Sequence, residues 1–105
     1  MTIAGCRKRV DTIVKNELPG GYELELHRFD DEEDLSITPK SDGQLEVELI
    51  HEEGRVTMIV LDEQNNQCYK GNLDFDTSFV VNIPNGEKAN CIIKGEKATG
   101  KVILK

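Results

Sequence analysis

The sequence contains no tryptophan, and its aromatic side chains are two Tyr and three Phe. Small-molecule pockets are lined mainly by apolar and aromatic groups, so this set offers little material for a deep one. No apolar run approaches the ~18 residues that a membrane-spanning helix needs. The three cysteines are an odd number, which excludes a fully paired disulfide framework. CxxC and HxxxH spacings are missing, and with them the usual zinc ligand sets. So are a Gly-rich phosphate cradle, a GxSxG elbow and a legible Ser/His/Asp set. The expectation is a non-enzymatic protein with no cofactor and no metal.

What the chain does have is acid. Over 105 residues, enough for one domain, the net charge is −7. Residues 17–76 hold 17 acids against Arg28, Lys40, Arg55 and Lys70, a balance of −13. Residues 1–16 and 77–105 are each at +3. Phosphate binding needs a concentrated positive surface, so direct nucleic-acid binding is disfavoured. An acidic middle suits a protein partner with a basic surface instead.

The hydrophobic period divides the chain at residue 21. Ile3, Cys6, Val10, Ile13, Val14 and Leu18 recur at spacings of three and four. This pattern predicts an amphipathic helix centred on residues 7–17 and stopped by Pro19-Gly20-Gly21. Residues 1–21 are thus expected to be a helix or anchor segment, and residues 22–105 a β-sandwich domain. From Tyr22 the period becomes two, in Tyr22-Leu24-Leu26 and again in Leu45-Val47-Leu49. Val47, Val81 and Ile93 are expected to share one core, with Glu46 and Glu48 facing solvent. The acids of residues 30–34 belong in a loop, residues 51–54 in a hairpin and residues 95–100 in a turn. The nearly continuous Val56-Thr57-Met58-Ile59-Val60-Leu61 reads as a central strand covered on both faces. Asn85-Gly86 is the strongest tight-hairpin signal. Six or seven short strands with frequent turns indicate an antiparallel sandwich or small barrel.

Candidate sites are few. His27 and His51 read as surface or rim histidines. Asn72, Asp74 and Asp76 share one face of an extended segment, opposite Leu73 and Phe75. Calcium needs six to eight oxygens, so a polar outer face is the preferred reading of that trio. Asp30, Asp31, Glu32, Glu33 and Asp34 form the candidate partner-facing surface. Cys91 alternates with Ala89 and Ile93 as a small buried hydrophobe would, and Cys68 is its candidate disulfide partner.

Ile3-Ala4-Gly5-Cys6 resembles the lipobox of bacterial lipoproteins, in which the cysteine is acylated. Residues 43–105 carry an alternating strand after Gly43, the Gly54 segment, a Val-rich strand ending at Asp62, and Phe79-Val80-Val81-Asn82-Ile83-Pro84-Asn85-Gly86. Thr99-Gly100-Lys101-Val102-Ile103-Leu104 closes the series. This part looks like the small immunoglobulin-like sandwiches of Gram-positive surface lipoproteins. The resemblance implies a non-catalytic, extracytoplasmic interaction domain; with the helix expected from the N-terminal spacing, the expected fold is an immunoglobulin-like β-sandwich preceded by an amphipathic helix. Its only membrane contact would be a lipid at Cys6, and the basic and apolar parts of the signal would precede Met1. Without such a signal, the expectation is a small acidic cytoplasmic inhibitor of the phage anti-defence type. That protein would occupy a basic nucleic-acid-binding surface on its target.

Overall fold

Leu45, Val47 and Leu49 are buried, whereas Glu46 and Glu48 between them are exposed. The same alternation governs most of the chain, because side chains of an extended backbone point to opposite faces in turn. The structure is a computed structural model that describes residues 13–39, 43–84 and 88–105. Among the described residues, seven strands join in one antiparallel sheet. They are β1 (Ile13–Leu18), β2 (Gly21–Phe29), β3 (Glu32–Ile37), β4 (Gln44–Leu61), β5 (Gln67–Asn72), β6 (Thr77–Asn82) and β7 (Ala89–Leu104). No helix among the described residues is long and apolar enough to cross a membrane.

Two long strands form the spine. β4 and β7 pair from Val47↔Leu104 to Leu61↔Asn90. β2 and then β3 run along the other side of β7, and β5 and then β6 along the other side of β4. β1 adds outside β2. One half of the sheet therefore holds β1, β2, the end of β7, the start of β4 and β6. The other half holds β3, the start of β7, the end of β4 and β5.

The halves meet at a fold line that every long strand crosses with a change of phase. The inward residues of β4 are Leu45, Val47 and Leu49 before the line, and Val56, Met58 and Val60 after it. Those of β7 change from Ala89, Cys91 and Ile93 to Ala98, Val102 and Leu104. A period of two would turn the second set outward, but one extra residue restores its direction. The β4–β7 register shifts at His51/Glu53 and at Glu53/Arg55. Arg28, Gly54 and Lys97 take positive φ values of 53°, 78° and 52° on three neighbouring strands. Gly54 is required there, since a Cβ would collide with the Lys97 carbonyl.

Both halves feed one core. Leu24, Val47 and Leu104 from the first half cluster with Met58, Cys91 and Ile93 from the second. Each large side chain removed from water here contributes about 1.5–3 kcal/mol.

Several expectations are corrected. Residues 13–18 are strand β1, not the end of a helix, and residues 1–12 lie outside the described residues. Leu18 pairs with Gly21, so Pro19-Gly20 is a two-residue hairpin turn. Gly20 has φ 82°, as position i+2 of a type II turn after proline requires. A helix-stop signal and a hairpin signal are here the same dipeptide. Residues 51–54 and 95–100 are likewise not turns but bulged passages within β4 and β7. The expected strands were short, yet β4 has 18 residues and β7 has 16. In an immunoglobulin-like sandwich each sheet owns its strands; here β4 and β7 belong to both halves.

Asn85-Gly86 lies outside the described residues, and the strands flanking it do not form a hairpin. β6 pairs with β4, while β7 pairs with β2, β3 and β4. Nor is the segment from Val56 to Leu61 covered on both faces: Val56, Met58 and Val60 are buried, while Thr57, Ile59 and Leu61 are half-buried.

Candidate interaction surface at the fold line

The acidic run is split by the structure. Asp30 and Asp31 join β2 to β3, whereas Glu32, Glu33 and Asp34 are the first residues of β3 rather than a loop. Asp31 Oδ1 accepts the Glu32 amide at 2.8 Å, and the Asp31 carbonyl accepts the Gly95 amide at 2.9 Å. Asp30, Asp31, Glu32 and Asp34 are exposed. Glu33 is not part of that surface. It stands opposite buried Ile93 and forms an ion pair with Lys15 at 3.1 Å.

Two further acidic segments, distant in sequence, reach the same line. Glu52 and Glu53 are exposed on the bulge of β4. Residues 73–76 carry the chain from β5 to β6 across that bulge, and their side chains act as substitute ladder partners. Asp74 Oδ1 accepts the Val56 amide at 3.1 Å, and Asp76 Oδ1 accepts the His51 amide at 2.8 Å. The bulge interrupts pairing on this side of β4, and two carboxylates satisfy the donors that it frees. His51 Nε2 donates to the Gly54 carbonyl at 2.8 Å, closing the bulge from within.

This use of Asp74 and Asp76 changes the reading of their neighbours. Leu73 is 2% exposed, but Phe75, expected on the same inward face, is 59% exposed. The alternation ends at Leu73, because both flanking carboxylates turn toward the β4 backbone and leave Phe75 facing water. Nothing in the sequence marked Glu52, Glu53 or Phe75 as members of one surface. The one available signal was an aromatic residue between two aspartates.

The remaining candidates stay apart. Asn72 Oδ1 accepts the Thr57 hydroxyl at 3.2 Å, so Asn72, Asp74 and Asp76 each have one side-chain oxygen bonded to a protein donor. Among the described residues, no group of three or more His, Cys, Asp or Glu converges to hold a metal ion. His27 is exposed, 3.7 Å from Glu25. Cys6 lies outside the described residues. Cys68 and Cys91 are free thiols, so the candidate disulfide between them is not formed. They belong to β5 and β7, on opposite sides of β4. Two strand spacings are about 9.6 Å, more than a disulfide spans.

Local environment sets the titration of three groups. Burial, and then the Asp34 carboxylate, push the Cys91 thiol up to about 12. Burial, and then Asp62, also raise Cys68. Neither thiol is activated for nucleophilic chemistry. Asp62 is held below its ordinary value, first by the Asn66 amide, with help from the Gln64 amide and the Asn66 side chain, against desolvation. Its Oδ1 accepts those two amides at 2.8 and 2.9 Å, which builds the turn from β4 to β5.

These features define a mainly antiparallel β protein with an acidic fold line. No protein-family model matches the sequence, and no curated protein matches it. Among solved structures, a family 29 carbohydrate-binding module is similar at 11% identity and a TM-score of 0.46, over 90% of this chain and 73% of the other. CENP-C of Drosophila melanogaster, bound to CAL1, is similar at 8% identity and 0.46, over 88% and 79%. A glycosylation-associated protein complex from Streptococcus agalactiae follows at 10% identity and 0.43, over 90% and 39%. Likenesses of this strength assign no function.

Proposed function

We propose that this chain is a non-enzymatic interaction domain that meets a basic protein surface along its fold line. The observation carrying this reading is that three separated segments deliver exposed carboxylates to one line. Asp30, Asp31 and Glu32 come from the β2–β3 passage, Glu52 and Glu53 from β4, and Asp74 and Asp76 from the β5–β6 passage. With Glu96 they number eight, against Arg28, Arg55, Lys94 and Lys97. A potential of one sign over a surface accelerates encounter with a partner of the other sign. A protein whose basic surface otherwise holds nucleic acid is the kind of partner that such a line fits.

The test compares two charge-matched variants. One neutralises the line, through Asp30→Asn, Asp31→Asn and Glu32→Gln; Asn at 31 keeps the oxygen that caps Glu32. The other neutralises the outer face of the first half, through Glu25→Gln, Glu46→Gln and Glu48→Gln. Association with a synthetic peptide of mixed Lys and Arg is followed by stopped flow at low and high salt. The fold-line variant is expected to associate about tenfold more slowly at low salt, and the outer-face variant to stay near the parent. Equal losses in both variants, or binding insensitive to salt, would remove the fold line as the contact surface.

A further inference from the structure

The fold line also holds an uncharged group that the charge argument leaves unused. Phe75 is the most exposed large hydrophobic side chain among the described residues, at 59%. It is also held in place. Asp74 and Asp76 on either side are each bonded to the β4 backbone, and Leu73 before them is buried and donates its amide to the Val56 carbonyl at 2.7 Å. A ring presented by an anchored backbone has only two side-chain torsions left to order on binding. Rigid aromatic anchors of this kind carry a large share of binding energy at protein interfaces.

We infer that Phe75 is the seat for an arginine side chain of the basic partner, with the guanidinium stacked on the ring between Asp74 and Asp76. The surrounding charge selects this occupant. A purely apolar pocket closing over Phe75 would take the two adjacent carboxylates, and Glu52 and Glu53 on the facing bulge, out of water without compensation. A cation placed over the ring keeps them compensated. Asp74 and Asp76 each engage one oxygen with the backbone and remain exposed, so the second oxygen of each can accept from an incoming donor. Arginine suits this seat better than lysine, because its planar guanidinium stacks on an aromatic face while its N–H groups reach carboxylates at the edge. Asp30 and Asp31 lie about three strand spacings away, roughly 14 Å, so one basic segment can engage both.

This inference rests on the interaction reading above, and the experiment separates the two. Two synthetic peptides of equal length and charge are titrated, one with arginine and the other with lysine as its only cation. The parent is expected to bind the arginine peptide about two- to fivefold more tightly, the range of an exposed cation–π contact. Phe75→Leu, apolar but without the ring, should equalise the two peptides at unchanged melting temperature, and Phe75→Tyr should restore the preference. The fold-line variant should weaken both peptides alike and keep the preference. A preference that persists in Phe75→Leu, or one that is absent from the parent, overturns the arginine seat while leaving the charge reading standing. A preference abolished by Phe75→Leu, together with a fold-line variant that binds like the parent, supports the seat and overturns the charge reading.

Discussion

Among the described residues, the two outer edges of the folded sheet are closed by opposite chemistry. At the β5/β6 edge, Tyr69 and Phe79 face each other across the halves, with ring centroids 4.8 Å apart and planes tilted by 32°. At the β1/β3 edge, the groups meeting across the halves are Lys15 and Glu33, 3.1 Å apart. Both closures use inward positions. Phe79 is opposite Val47 and Tyr69 opposite Val60, while Lys15 is opposite Leu24 and Glu33 opposite Ile93. Farther along the second edge lies a cleft of about 230 Å³ between Leu18, Tyr22 and Ile37. A ring pair excludes water and stabilises by area and by its own geometry. An ion pair half in water is worth about 0–1 kcal/mol and is screened by salt. One edge is therefore welded by apolar contact, and the other is only latched.

The largest effect is expected at the aromatic edge. Phe79→Ala should lower stability by about 2–3 kcal/mol, somewhat less than a fully buried Phe. A double-mutant cycle with Tyr69→Ala should return about 0.5–1.5 kcal/mol of coupling, measured by urea denaturation. A coupling near zero would break the comparison. A smaller effect of pH belongs to the same edge, through the Asp62 turn that starts β5. Because the folded Asp62 carboxyl titrates below its ordinary value of 3.8, its contribution is present above that pH. It is lost as pH falls through the lower, folded value. The advantage of the parent over Asp62→Asn in melting temperature should therefore hold at neutral pH and shrink below pH 3.8. An advantage independent of pH would argue against the carboxylate as the cause. The smallest change is expected at the ionic edge. Glu33→Gln should cost at most about 0.5 kcal/mol, and the difference should fade in high salt. A salt-independent loss as large as that of Phe79→Ala would make the two edges equivalent.

Much of the core was legible because period-two alternation is written locally. Val47, Val81 and Ile93 are inside, and Glu46 and Glu48 outside, as their spacing predicts. The Val-rich strand does stop at Asp62, where residues 62–66 turn the chain from β4 into β5. The candidate surface was legible only in part. The run from Asp30 to Asp34 was visible as charge, but nothing local distinguished Glu33, which points inward to Lys15, from its exposed neighbours. Asp74 and Asp76 were visible as an acidic face, but their bonds to Val56 and His51 depend on a bulge about twenty residues away in sequence. Phe75 was placed inside by the same alternation that placed Leu73 correctly.

By itself, then, the sequence determined the β class, most inward-facing residues and the acidic middle, because each is a property of composition or of neighbours two residues apart. Tertiary structure decided that residues 13–18 extend along β2 instead of coiling, since their ladder partners lie in another segment. It also decided that the irregular stretches near Gly54 and Lys97 are bulges and not turns. The local signal is the same in both cases, a glycine or a left-handed residue among polar ones. A chain reverses there only if no neighbouring strand continues past the irregularity. β4 and β7 each supply that continuation for the other, so both strands run on and the sheet folds over itself.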